Sequence, residues 1–129
     1  MISLAMTALV VPDYDEAIAF FVDALGFTLD EDTPLGEEKR WVVVSGDDGG
    51  KLLLARAAND DQTAAVGRQT GGRVGWFVHT DDFSAAHARL ERHGAVFNEE
   101  PRDEPYGTVA VFSDPWGNRW DLIEPGKAA

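Results

Sequence analysis

The sequence predicts an α+β protein assembled from two tandem βαβββ units, and three observations predict it. A shift of 68 residues lays Ala17 on Ala85, Gly26 on Gly94, Ser45 on Ser113, Gly49 on Gly117 and Lys51 on Arg119, with Asp30-Glu31-Asp32 on Asn98-Glu99-Glu100. Self-similarity at a fixed offset marks a repeated structural unit. In each repeat a helix-like stretch ends at its glycine, and the shared serine opens a turn between two strand-like runs. Strand-like runs outnumber helical ones, which fits a mixed sheet carrying few helices.

The first unit, about residues 1–56, opens with Met6 to Val11, an apolar run with two Val and one Thr that reads as a buried strand. Pro12-Asp13 ends it. Asp13 is placed to cap a helix from about Tyr14 to Leu25, and Glu16 stands where the other half of a capping box belongs. Ala17, Phe20, Phe21, Ala24 and Leu25 recur at spacings of three and four, so one face is apolar, and Gly26 is the expected stop. Strands follow at Phe27 to Glu31, Trp41 to Ser45 and Lys51 to Arg56. Gly46-Asp47-Asp48-Gly49-Gly50 is a hairpin turn by composition.

Residues 57–72 have no sustained period and read as a linker, with room for a short helix near Asp61 to Val66. The second unit, about 73–129, repeats the order: a strand over Arg73 to Thr80, a helix over Phe83 to His93 capped by Asp81 or Asp82, and strands over Ala95 to Glu99, Gly107 to Ser113 and Arg119 to Glu124. Glu99 to Gly107 reads as a polar loop with two prolines, and loops carried by a rigid sheet often cover a site. Glu104 and Tyr106 are its candidates for closing over a ligand.

A chain of 129 residues fits one domain, and 44% hydrophobic residues with four Trp and seven Phe supply a core without staples. Cysteine is absent, which excludes thiol catalysis, thiolate metal sites and disulfides and is compatible with a cytoplasmic location. No basic leader opens the chain, and no apolar run approaches the roughly 18 residues of a membrane span. The net charge of −12 repels phosphate backbones and anionic lipid, so neither nucleic acid nor membrane is an expected partner.

Two segments carry a family resemblance. Val10-Val11-Pro12-Asp13-Tyr14-Asp15-Glu16-Ala17-Ile18-Ala19-Phe20-Phe21 followed by Leu25-Gly26-Phe27 resembles the opening of vicinal-oxygen-chelate domains, the glyoxalase, bleomycin-resistance and extradiol-dioxygenase superfamily. Phe21 stands where that family often has Tyr. Asp114-Pro115-Trp116-Gly117-Asn118-Arg119-Trp120-Asp121 resembles its second signature, an Asp-Pro-x-Gly-Asn turn entering the last strand. The resemblance implies eight strands in a curved, incompletely closed mixed sheet with helices outside, a ligand in the concave interior, and pairing as a homodimer. It implies no single reaction, because such folds host lyases, dioxygenases, epimerases and antibiotic-sequestering proteins.

Where that family binds a divalent metal, the ligands stand early in the first strand and on the last strand of each unit. Counting back seven residues from Asp13 and from Asp82 reaches Met6 and Gly75, and the last strands offer Leu53 and Asp121. A thioether, a leucine and a glycine are not ligands for a hard ion, and one carboxylate cannot hold it alone. The expectation is therefore no cofactor, with a divalent metal disfavoured.

Strand alternation sets Gly75, Phe77 and His79 on one face, so His79 shares the ligand side while lying roughly 13 Å along the strand from Gly75. His79 is a candidate base or donor because imidazole titrates near neutrality, and equally a strand-end residue anchoring the next turn. His87 and His93 fall on and after the second helix, where surface roles are expected. Trp41 and Val43 line the ligand side with Val111 and Asp121 if Trp120 faces the helix layer; core packing serves the same pattern.

The leading functional expectation is a metal-independent binder of a small organic molecule, of the antibiotic-sequestering kind, contacting it through Trp41, Val43, Phe77, Tyr106 and Val111. The alternative is a lyase, isomerase or dioxygenase-like enzyme using His79 and Asp121 with or without a relocated divalent metal. A dimeric scaffold with a vestigial groove is the third.

Overall fold

A computed structural model describes residues 1–126, so the last three residues of the second expected unit lie outside it. The chain separates into two compact units, one over Met1–Val66 and one from Gly67 onward. Each carries its own sheet.

In the first unit β1 (Thr7–Val11), β2 (Thr28–Pro34), β3 (Arg40–Ser45) and β4 (Lys51–Arg56) lie in the order β1-β4-β3-β2. β1 runs parallel to β4, and the other pairs are antiparallel. Leu9, Val11, Val42, Val44, Leu52 and Leu54 share one face and are buried, packed under α1 (Tyr14–Ala19). Each such fully buried side chain contributes on the order of 1.5–3 kcal/mol. Asp13 caps α1, its Oδ2 accepting from the Glu16 amide at 2.9 Å. Arg40 ties the sheet edge to the helix: its guanidinium donates to Asp32 at 2.7 and 3.0 Å and to Asp15 at 3.0 Å, and lies 5.1 Å over the Tyr14 ring.

The helix does not keep α geometry to Leu25. From Phe20 to Ala24 it widens into a π-helical turn, with the Leu25 amide donating to Phe20 at 3.3 Å. Gly26 lies thirteen residues after Asp13, whereas Gly94 lies twelve after Asp82. A π-turn takes up one extra residue in a helix, so it restores the repeat's phase while still burying Phe20, Phe21 and Ala24. Gly26, at φ 71°, then reverses the chain as expected.

The segment read as a linker contains α2 (Asp60–Ala65), capped by Asn59, whose side chain accepts from the Gln62 amide at 2.9 Å. The second unit begins at Gly67. Gly67, at φ 75°, abuts the backbone of Trp116, and only a residue without Cβ fits there.

The second unit holds β5 (Val74–His79), α3 (Phe83–Arg92), β6 (Val96–Phe97), β7 (Arg102–Glu104), β8 (Gly107–Ser113) and β9 (Arg119–Pro125). The order is β5-β9-β8-β6, with β7 also on β8. Asp82, not Asp81, caps α3, accepting from the Ala85 amide at 3.1 Å. Trp76, Trp120, Phe112 and Phe97 stack in succession on the helix side, and His87 of α3 lies flat on Phe97 with ring centroids 3.7 Å apart. His87 is thus half packed into the aromatic layer, where the sequence suggested a surface role.

Two expectations are corrected. The mixed α+β architecture of two repeated units is as expected, but the described residues contain nine strands where eight were expected. The strand expected over Ala95 to Glu99 is only Val96–Phe97, and the supposed loop after it contains β7, in register with Thr108 through Asp103. In the first unit β2 covers the equivalent edge as one strand with a bulge between Leu29 and Glu31. Pro101, which lacks the amide a ladder needs, falls where the second unit breaks that edge in two.

The repeat is visible in hydrogen bonds. Gly46 and Asp114 each donate to the residue four ahead, at 3.0 and 2.9 Å, and Gly49 and Gly117 each donate three back, at 3.1 and 3.0 Å. The second turn adds a side chain: Asp114, buried, accepts from the amides of Trp116 and Asn118, the Asn118 side chain and the Trp120 indole at 2.9–3.1 Å. Burial still raises its pKa above the ordinary carboxylate value, against the pull of those four bonds.

Candidate functional site

Strand register decides which side chains share a face, because partners across a ladder point the same way. In the second unit Asp121 stands between Phe77 on β5 and Val111 on β8, and His79 pairs with Ile123 two residues further on. All five point away from α3, since Trp120 and Leu122 take the helix side. The strand spacing and rise put the His79 and Asp121 backbones roughly 8 Å apart, so one small molecule can touch both. Phe77 is 63% exposed and His79 is exposed, while Val111 is buried and forms floor.

Asp121 is half-buried, and its Oδ1 is covered yet has no hydrogen-bond partner among the described residues. Desolvation raises its pKa; Arg102 pulls it down, Glu99 pushes it up and Arg119 pulls it down. Arg102 is itself engaged. Its Nε donates to Glu99 at 2.5 Å and its Nη1 to Glu104 at 2.6 Å, which together with Tyr106 holds its pKa above the ordinary value. Glu104 is therefore a partner of Arg102 within the sheet edge. Tyr106 lies at the β7–β8 turn, 56% exposed.

In the first unit Trp41 and Val43 lie on the helix-free face beside Leu53 and Ala8, as the alternation predicts. Trp41 is 36% exposed and its indole donates to Glu31 at 3.0 Å; Val43 is 1% exposed, so it too is floor. The sequence reading missed Glu99 and Arg102 as neighbours of Asp121. The alternating charges Arg102 and Glu104 between Pro101 and Pro105 were the available sign of a short edge strand.

The residues at the four family ligand positions do not fit a divalent ion. Met6, Leu53 and Gly75 supply no oxygen or imidazole, and the space a Gly75 side chain would enter holds the Thr70 methyl, 2.6 Å from an ideal Cβ. Among the described residues no three His, Asp or Glu side chains gather as a metal-holding group. No helix among them is long and apolar enough to cross a membrane.

Comparison with known proteins gives the family of the chain. The family model of the Glyoxalase/Bleomycin resistance protein/Dioxygenase superfamily matches residues 3–122. A protein of Shewanella frigidimarina is 51% identical, over 95% of this chain and 93% of its own. Among solved structures, UcmS2 is 30% identical with a TM-score of 0.78, covering 96% of this chain and 98% of that one. TnmS3, an antibiotic binding protein from Streptomyces sp. CB03234, is 30% identical with a TM-score of 0.68, covering 98% and 99%. On the family match over nearly its whole length, with its two repeated units, this chain belongs to the glyoxalase/bleomycin resistance protein/dioxygenase superfamily.

Proposed function

We propose that this protein binds a small organic molecule on a helix-free sheet face, without the metal site that the family resemblance implies. The observation that carries this reading is the fate of the four ligand positions: thioether, leucine, a glycine backed by Thr70, and one carboxylate. Each helix-free face carries an exposed aromatic over an apolar floor, Trp41 over Val43 in the first unit and Phe77 by Val111 in the second. Apolar walls with a few placed polar groups are the usual make-up of a small-molecule site. The likeness to TnmS3 supports an antibiotic-sequestering form of binding, and we take the acting species to be a homodimer.

The test joins metal analysis of protein purified without chelator or affinity metal to a thermal-shift screen of small molecules. Ligand-dependent stabilisation that survives chelation is the expected result. Stoichiometric iron, manganese, nickel or zinc, with binding lost on its removal, would sink the proposal.

One observation favours a second reading. The unpartnered Oδ1 of Asp121 lies within a ligand's reach of His79, an arrangement suited to a lyase or isomerase that moves a proton between them through its substrate; a dioxygenase-like reaction there would need dioxygen and a relocated divalent metal as well. Unchanged turnover of an identified substrate after replacing both residues would dispose of it.

A further inference from the structure

The helix-free face of the second sheet has an acceptor without a donor. Asp121 Oδ1 is covered and finds no hydrogen bond, although its register neighbours, Phe77 and Val111, bring no polar side chain that could compete for it. The nearest cation on β7, Arg102, already serves Glu99 and Glu104. Arg119, the next residue on the same face, is exposed and acts on Asp121 only through space. An acceptor left unmade in a partly desolvated place costs stability, and a ligand donor that completes it recovers that cost.

We propose that Asp121 selects ligands that carry an N–H donor, such as a protonated amine, next to an apolar ring, with the ring resting on Phe77 and the donor bonded to the Asp121 carboxylate. This rests on the binding reading above and adds the polarity of the ligand to it. The superfamily resemblance implies a metal gripping ligand oxygens, whereas this site takes the opposite partner, a donor, directly on the protein. Oδ1 is covered, so a ligand donor meets it only when the carboxylate turns part-way about χ2, a turn that the broad torsional profile of Asp permits. A carboxylate ligand meets Asp121 as a like charge, and the charge of Arg102 is already offset by Glu99 and Glu104. Bonds from a charged donor to a carboxylate are the strong kind, and the flanking ring adds shape without charge.

The experiment uses two probes on one ring, 2-naphthylmethylamine and 2-naphthoate, titrated by NMR into the wild-type chain, Asp121→Leu, Asp121→Asn and Phe77→Ala. Leucine is a safe replacement because Leu53 occupies the same register position in the first unit. The wild type is expected to bind the amine about tenfold tighter than the carboxylate, a difference of about 1.4 kcal/mol. Asp121→Leu is expected to abolish that preference, with Asp121→Asn between, while Phe77→Ala weakens both probes alike. Equal affinities in the wild type, or a preference that survives Asp121→Leu, overturn the donor assignment and leave small-molecule binding standing. If neither probe shifts any resonance of the helix-free face, the binding reading fails together with it.

Discussion

Leu53 and Asp121 occupy one position of a repeated ladder: Leu53 lies opposite Val43 and beside Ala8, and Asp121 lies opposite Val111 and beside Phe77. One sheet spends the site on packing and the other keeps a carboxylate there. A half-buried carboxylate with an unpartnered oxygen is a cost that packing does not require.

Asp121→Leu should therefore stabilise the protein near neutrality, by about 1 kcal/mol, read as a rise in the urea midpoint at unchanged slope. The folded carboxyl has its pKa raised above 3.8 by burial. The native state thus holds the proton more tightly than the unfolded chain, and the group's favourable contribution is full below 3.8 and lost as pH rises through the folded value. The advantage of the leucine variant should accordingly shrink on acidification through that window. A gain independent of pH would contradict the account.

Asp32 carries the opposite sign. The hydrogen bond from Arg40 holds its carboxyl below the usual range, against some desolvation. Its contribution is present above the unfolded value of 3.8 and disappears as pH falls through the lower folded value. Arg40→Met should lower the denaturation midpoint at neutral pH by a modest amount, since the pair is partly exposed. Below the folded pKa of Asp32 that loss should narrow.

Asp114→Ala should cost about 2–4 kcal/mol, because it strands two amides, the Asn118 side chain and the Trp120 indole in a buried turn. Asp114→Asn should cost less, as its carbonyl keeps part of the set while its NH2 faces donors. Thermal unfolding followed by Trp fluorescence checks the ranking. Equal midpoints for wild type and Asp114→Ala would refute a structural role for this turn.

Gly67→Ala should be among the most damaging single changes, by more than about 2 kcal/mol. A Cβ there runs into the Trp116 carbonyl, and φ 75° is a region that side chains disfavour. Gly71→Ala, at φ 69° but with open space around it, pays only the backbone term and should cost about 1 kcal/mol. Similar losses in the two variants would argue against the close approach to Trp116.

The sequence by itself determined the repeated order of elements, the cap at Asp13, the stop at Gly26 and the turns at Gly46–Gly50 and Asp114–Asn118, because these depend on residues close along the chain; it left the second cap between Asp81 and Asp82, and the structure settled it on Asp82. It also determined which side chains of a strand share a face, such as Trp41 with Val43 and Phe77 with His79, since a strand alternates with period two wherever it lies; which of the two faces lies away from the helix came from the structure. Only the tertiary structure decided the rest. The π-turn over Phe20–Ala24 follows from keeping a longer helix in phase with the sheet that buries it. The existence of β7 depends on β8 offering it an edge, and Asp121 Oδ1 is left without a partner among the described residues while Arg102 pairs with Glu99 and Glu104. Local preference sets how each segment folds and which way its side chains point; which partners they find is a matter of distances that no spacing along the chain encodes.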